Sequence, residues 1–376
     1  MPIINKHDAY YLDAVNGPVS RPATERAGFM LNACYDFSDK DYWHVSCFDG
    51  KSLLQLKDVV PNHILQEIRN RKLTLSIGAE YEAFIDVPKM IYDFLIKELF
   101  IPPESILLFS VNAKIDDVVG ELAFSRGIPK IQTRWVCVFE RGVSSSPTNI
   151  LDTLQLKEYP KKFLSLNRRW RGCKVALVSH LKIRNLLDTG FVSLQSFERN
   201  SWENFWERMI QLQDDETKEL FHQHKHEIIN LPDLKLDDTN LEDMNPVTNA
   251  LDDFYLNSYF SVVGGACFYE KEMPNVAGLC EKPFKAIQKK HPFILLSTAK
   301  NLPLLHNMGY KTFDGLIDES YDNETDDNKR MLMIVNEIER LCNLSDTELE
   351  IFLIEAKKIV EHNFKNLYYR ACLPRV

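Results

Sequence analysis

Short apolar runs, rich in branched and aromatic residues, alternate along this chain with longer stretches whose apolar positions recur at three- and four-residue spacing. The first kind predicts strands and the second helices. In the amino-terminal part, residues 73–77, 105–111 and 131–139 read as strands, and their continuous apolar character suits a parallel sheet covered on both faces. Between the first two, residues 87–99 carry helical spacing that Pro102 and Pro103 terminate. Residues 141–147, with three serines and Gly142, read as a linker. Further on, strands are predicted over 163–166, 191–194, 259–263 and 293–297, with helices over 175–187, 202–212, 216–228 and 283–289. Ser345-Asp346-Thr347-Glu348 has the form of a capping box and opens a helix through about Tyr369. Its predicted apolar stripe is Ile351, Leu353, Ile354, Ala356, Ile359 and Val360.

Strands alternating with helices place the chain in the α/β class. Its 376 residues, 45% hydrophobic, are enough for two sizeable cores. Two Rossmann-like lobes are expected, over residues 1–155 and 156–340, followed by a C-terminal helix within 341–376. A net charge of −9 disfavours nonspecific nucleic-acid binding over the whole surface while leaving room for a local basic groove. Eight cysteines without Cys-x-x-Cys spacing read as free thiols of a reducing compartment. No run of about 18 apolar residues occurs, and the amino terminus lacks one as well. The expected location is therefore cytoplasmic.

Two segments carry candidate chemistry. In Gly278-Leu279-Cys280-Glu281-Lys282-Pro283-Phe284-Lys285, an acid and two bases stand where a helix should begin beside a buried strand. A helix start offers unpaired backbone N–H groups and the positive end of its dipole, and Lys282 and Lys285 add charge for a phosphate. Glu281 cannot serve a phosphate, but a carboxylate there can accept from sugar hydroxyls, as the ribose-gripping acid of dinucleotide folds does. The plainer reading is a first-turn acid with two solvated lysines. The second segment, Leu166-Asn167-Arg168-Arg169-Trp170-Arg171-Gly172-Cys173-Lys174, runs from a short strand into a basic loop and a helix. From Lys157 to Arg184 there are nine Lys or Arg against the single acid Glu158. Such loops at strand ends are where open α/β sheets bind ligands, and an anion is expected here.

These segments together, with the strand at 259–263, His291-Pro292-Phe293-Ile294-Leu295-Leu296 and the residues from Leu304 to Asp314, resemble a group of glycosyltransferase-like proteins of large viruses and tailed phages. Residues 160–320 are similar to the donor-binding half of alpha-fucosyltransferases, which have the GT-B fold, with a weaker echo over 70–140. The resemblance implies two lobes with a cleft between them, the first on the acceptor side and the second binding a nucleotide-sugar donor, and a C-terminal helix packing across both. It assigns Glu281 to ribose hydroxyls and Lys282 to a phosphate, and matches Lys174 to a base that meets the diphosphate. That base is usually arginine in the family, so Arg169 or Arg171 would compensate, with Asn167 and Lys285 at the same site. Relatives often carry an acid after the strand that ends here in Gly264-Gly265.

The implied activity is a Leloir glycosyltransferase, moving a sugar from a nucleotide-diphosphate donor to an acceptor hydroxyl without cofactor or metal. The acceptor would be a hydroxymethylated base of viral DNA, or a glycan or protein hydroxyl. Glu82, after a strand of the first lobe, is the leading candidate for the catalytic base, ahead of Glu80 and Asp116. The competing reading is a non-catalytic nucleotide- or sugar-binding interaction protein. A Walker loop and Gly-x-Gly-x-x-Gly are both absent from the sequence. The lone Asp-x-Asp, at Asp39 and Asp41, reads as chance. His222, His224 and His226 do not share one helix face and read poorly as a metal site.

Overall fold

A computed structural model describes residues 8–12, 19–22, 42–47, 50–79, 86–146, 148–167, 171–194, 202–231, 234, 236, 251–265 and 267–372. The chain forms two compact α/β units. The first comprises described residues up to Gly142 together with Asn275–Gly278, and the second comprises Val143–Pro274 and Leu279–Cys372.

Unit 1 contains the strands β1 (Asp8–Leu12), β2 (Val19–Pro22), β3 (Tyr42–Cys47), β4 (Thr74–Ala79), β5 (Ile106–Ser110) and β6 (Gln132–Trp135). They lie in the order β2-β1-β3-β4-β5-β6, with only the β1–β2 pair antiparallel. From β1 to β6 each parallel strand adds to the same edge, so right-handed crossovers put the connections on one face. There, helix α1 (Asn62–Arg69) buries Ile64, Leu65 and Ile68, and α2 (Ile115–Arg126) buries Ile115, Val118, Val119 and Ala123. Both stripes pack with Leu75, Ile77, Ile106 and Leu108 of the sheet in a single core. The predicted helix after residue 87 is present as Asp86–Met90 continuing into π-helical Ile91–Ile96.

The strand expected over 131–139 is shorter, and the linker expected over 141–147 is a helix, Phe139–Ser144. The side-chain amide of Gln288 donates to Val143 O at 2.8 Å and Ser146 O at 3.2 Å. Val143 O also accepts from Ser146 N at 3.0 Å. A partner as distant along the chain as Gln288 cannot be read from local composition.

Unit 2 holds β7 (Phe163–Asn167), β8 (Gly190–Leu194), β9 (Phe260–Gly264) and β10 (Phe293–Leu296), all parallel, in the order β10-β9-β7-β8. Helix α3 (Gly172–Ile183) links β7 to β8 in one direction, while α5 (Glu281–Gln288) links β9 to β10 in the other. Right-handed crossovers therefore send α3 and α5 to opposite faces, and the strand order reverses between β7 and β9. Helix α4 (Trp202–Gln211) packs with α3, α6 (Asp327–Cys342) with α3 and β10, and α7 (Asp346–Cys372) with α5. Each of α3 and α5 starts two or three residues before the predicted start, which brings Lys174, Glu281 and Lys282 into first turns. The helix expected over 216–228 breaks at His224 into Asp215–Gln223 and Lys225–Ile229.

The capping box at the start of α7 is formed, with Ser345 N and Oγ donating to Glu348 Oε2 at 2.8 and 2.6 Å. The buried stripe of α7 differs from the expected one. Phe352, Leu353, Ala356, Val360 and Leu367 are buried, whereas Ile351 and Ile354 are 55% and 46% exposed. Seven described cysteines are free thiols. Among the described residues, no helix is long and apolar enough to cross a membrane.

Candidate functional site

Ligands of open α/β sheets bind beyond the carboxyl ends of the strands, where the strand order reverses. In unit 2 that point lies between Asn167, the last residue of β7, and Gly264, the last of β9. Asn167 is fully buried, donates its backbone N–H to Ser193 Oγ and its Nδ2 to Ser165 Oγ, both at 2.9 Å, and leaves Oδ1 without a partner. Beside it stands Lys174, 4% exposed in the first turn of α3. A Cβ on Gly264 would come within 3.2 Å of Lys174 Cε and 3.4 Å of Asn167 Oδ1. Glycine is therefore what lets β9 end against this pair.

Among the described residues, Lys174 makes no ion pair, which is unusual for a buried ammonium. Burial first, and then repulsion from Lys282 and Arg171, pull its pKa down to about 8. Lys282 approaches from the other side of the crevice, where α5 begins. Its Nζ lies 3.1 Å from Glu281 Oε1 and 3.8 Å from Cys280 Sγ. Burial would raise the Glu281 carboxyl, but the Lys282 and Lys285 ammoniums outweigh it and hold it below the ordinary range. The pair is charged, and about 30% of each side chain is accessible. Neither α3 nor α5 is capped by a side chain from the preceding residue. Two helix starts and three cations that act on one another, Lys174, Lys282 and Arg171, thus gather at the switch point, with Glu281 beside Lys282. Such an excess of positive charge, part of it buried, suits an anion with more than one negative charge.

Next to this cluster lies a pocket of about 290 Å3 within unit 2, lined by residues that include Arg171 and Gly172 at the start of α3 and Arg208, Met209 and Leu212 of the α4 region. The loop after β9 completes it with Phe268, Tyr269, Glu272 and Met273. Arg330 of α6, 1% exposed, holds that loop. Its guanidinium donates to Phe268 O at 2.6 Å, Ser297 O at 3.1 Å and Asp327 Oδ1 at 2.5 Å, and lies 4.4 Å from the Phe268 ring centre. Asp327 Oδ2 in turn accepts from Glu270 N at 2.8 Å. One buried arginine thereby ties the loop after β9 to the end of β10.

Of the sequence-derived candidates, Asn167, Arg171, Lys174, Glu281 and Lys282 converge here, and Lys285 acts on Glu281 from the second turn of α5. Arg169 and Trp170 lie outside the described residues, as do Glu80, Glu82, Asp39 and Asp41. Asp116 is engaged as a surface acid, bonded by Lys130 Nζ and Thr133 Oγ1, both at 2.6 Å. Arg208, Glu272 and Arg330 were not visible to sequence reasoning. Each belongs to a segment whose local pattern is that of an ordinary amphipathic helix or loop.

No protein-family model matches this chain, and no curated protein does. Among solved structures it is similar to an alpha,alpha-trehalose 6-phosphate synthase from Burkholderia multivorans, at 11% identity and a TM-score of 0.41, over 88% of this chain and 69% of that one. It is also similar to a TarM variant of S. aureus in complex with fondaparinux, alpha-GlcNAc-glycerol and UDP, at 11% identity and a TM-score of 0.37, over 87% of this chain. The chain spans 55% of the length of that TarM chain.

Proposed function

We propose that this protein is a nucleotide-sugar-dependent glycosyltransferase of the GT-B type whose donor is gripped by unit 2. The observation that carries the reading is the buried Lys174 at the switch point, which makes no ion pair among the described residues and faces Asn167 Oδ1 and Gly264, with the Glu281–Lys282 pair across the crevice. A diphosphate supplies the counter-charge that Lys174 lacks among the described residues and adds to the one that Glu281 gives Lys282, while Glu281 accepts from ribose hydroxyls. In glycosyl transfer the departing diphosphate gains negative charge as the sugar–oxygen bond breaks. Cations held in a site shielded from water stabilise that change more than they stabilise the bound donor. In this reading the lysines and helix starts perform the charge neutralisation that a metal ion performs in other transferases. The acceptor hydroxyl requires a base within hydrogen-bond reach, for which Glu82 of the first unit is the candidate, and Arg169 adds to the diphosphate site.

The acceptor is a hydroxymethylated base of viral DNA or a hydroxyl of a glycan or protein. A DNA acceptor makes activity fall steeply with salt, whereas turnover of a small saccharide does not. The donor reading is tested by thermal shift with UDP-, GDP-, CMP- and ADP-linked sugars on the parent protein, Glu281→Ala and Lys282→Ala. The expected result is a rise in melting temperature with one nucleotide series, lost in both variants. No rise with any donor would remove the reading. Tight binding of a donor with no turnover toward any acceptor would favour the binding-module alternative.

A further inference from the structure

Residues Asn275–Gly278 stand between β9 and α5 in sequence, yet they belong to unit 1, and the chain returns to unit 2 at Leu279. They lie against Val111, Asn112 and Ala113, which follow the last residue of β5. Asn112, 2% exposed, uses its whole carboxamide there. Its Oδ1 accepts from Ala277 N at 3.1 Å and from Lys114 N at 3.0 Å, while its Nδ2 donates to Asn275 O at 3.0 Å. Ala113 N adds a bond to Ala277 O at 2.6 Å. One side-chain amide thus does for residues 275–277 what the peptide of a neighbouring strand would do, supplying an acceptor and a donor. Just beyond, Gly278 passes so near β5 that a Cβ would lie 2.6 Å from Val111 O.

This clamp immediately precedes the donor-gripping pair in the chain. Only Leu279 and Cys280, both buried, separate Gly278 from Glu281, and three such steps span at most about 11 Å. The chain has no exposed loop there in which a shift of residues 275–278 could be absorbed. We infer that Asn112 is a positioning residue for the donor, an inference that rests on the donor reading above. By holding Asn275–Gly278 at the end of β5, it sets where α5 begins and hence where Glu281 and Lys282 stand. Asn112 itself touches no part of the donor. Its effect passes along the main chain to the Glu281 carboxylate and the Lys282 ammonium, whose bonds to a ligand weaken when either group moves by about 1 Å.

The test is titration calorimetry of UDP, GDP, ADP and CMP into the parent protein, Asn112→Ala, Glu281→Ala and the double variant. The nucleotide that binds the parent is expected to bind Asn112→Ala about tenfold more weakly, the size of one charge-assisted hydrogen bond. Because both substitutions act on one grip, the double variant should lose less than the product of the two single losses. A merely structural role for Asn112 would leave the two losses independent, so that they multiply. Asn112→Asp keeps the acceptor for Ala277 N and Lys114 N and gives up the bond to Asn275 O, so it carries the same comparison where Asn112→Ala fails to fold. Undiminished affinity in the Asn112 variant, or losses that multiply, would overturn the positioning role and leave the donor site standing. A parent that binds none of the four nucleotides would remove the donor reading and the positioning role with it.

Discussion

Replacing Lys174 by methionine should stabilise the ligand-free protein while abolishing diphosphate binding, because the buried ammonium is held in the fold at a cost. Its pKa falls from the ordinary 10.5 to about 8. At 1.36 kcal/mol per pH unit, that gap penalises the charged form by about 3 kcal/mol. The sign follows from linkage: a lysine whose folded pKa is depressed destabilises the fold fully below that lower pKa, and the penalty fades as pH rises from about 8 to 10.5. Methionine keeps an unbranched apolar stem in the same space and removes the charge. Urea unfolding at pH 7 should therefore show the Lys174→Met variant more stable than the parent by up to about 3 kcal/mol, with the difference closing by about pH 10.5. A donor that stabilises the parent should leave the variant unmoved. A variant less stable than its parent at pH 7, or a difference independent of pH, would refute the claim that Lys174 is an uncompensated cation kept for a ligand.

Three further outcomes follow from the same geometry. Affinity for a nucleoside diphosphate should be full below about pH 8 and fall by up to about tenfold per pH unit above it as Lys174 discharges, a profile that Lys174→Arg flattens, measured by titration calorimetry. Gly278→Ala places a Cβ 2.6 Å from Val111 O, a backbone atom that cannot step aside, and should cost about 1–3 kcal/mol in urea unfolding. Arg330→Met strands Asp327 and the Phe268 and Ser297 carbonyls, and should cost about 3–5 kcal/mol of stability while weakening donor binding through the loosened loop.

The elements most legible in the sequence are those whose signal is local. The buried strands of unit 2 announce themselves as apolar runs, and the Ser345–Glu348 capping box is a four-residue pattern that forms as read. Strands β1, β2 and β3 carry no such run, since Asp8–Leu12 and Tyr42–Cys47 mix aromatic with polar residues and become strands by pairing within the sheet. The helix Phe139–Ser144 depends on Gln288, and the exposed Ile351 and Ile354 depend on how α7 turns its stripe toward α5; both are tertiary facts.

The candidate site divides the same way. Glu281 and Lys282 are legible because charges at a helix start beside a buried strand form a pattern in sequence, whereas Lys174 is singled out only by the family resemblance. That α3 and α5 leave the sheet on opposite faces, which brings their starts together, is set by the strand order β10-β9-β7-β8. The unpaired Asn167 Oδ1, the Arg330 clamp and the meeting of Arg208 and Glu272 at the lining of one pocket exist only once the chain has folded.

The measurement that bears most directly on the central claim is release of nucleoside diphosphate from nucleotide sugars by the purified protein, followed for the parent and for Lys282→Ala, with and without hydroxymethylated DNA or a glycan acceptor. The expected result is slow release from one donor by the parent alone, acceleration when the right acceptor is added, and loss of both in Lys282→Ala. A parent protein that binds a donor yet releases no diphosphate with any acceptor, or a rate untouched by Lys282→Ala, would contradict it.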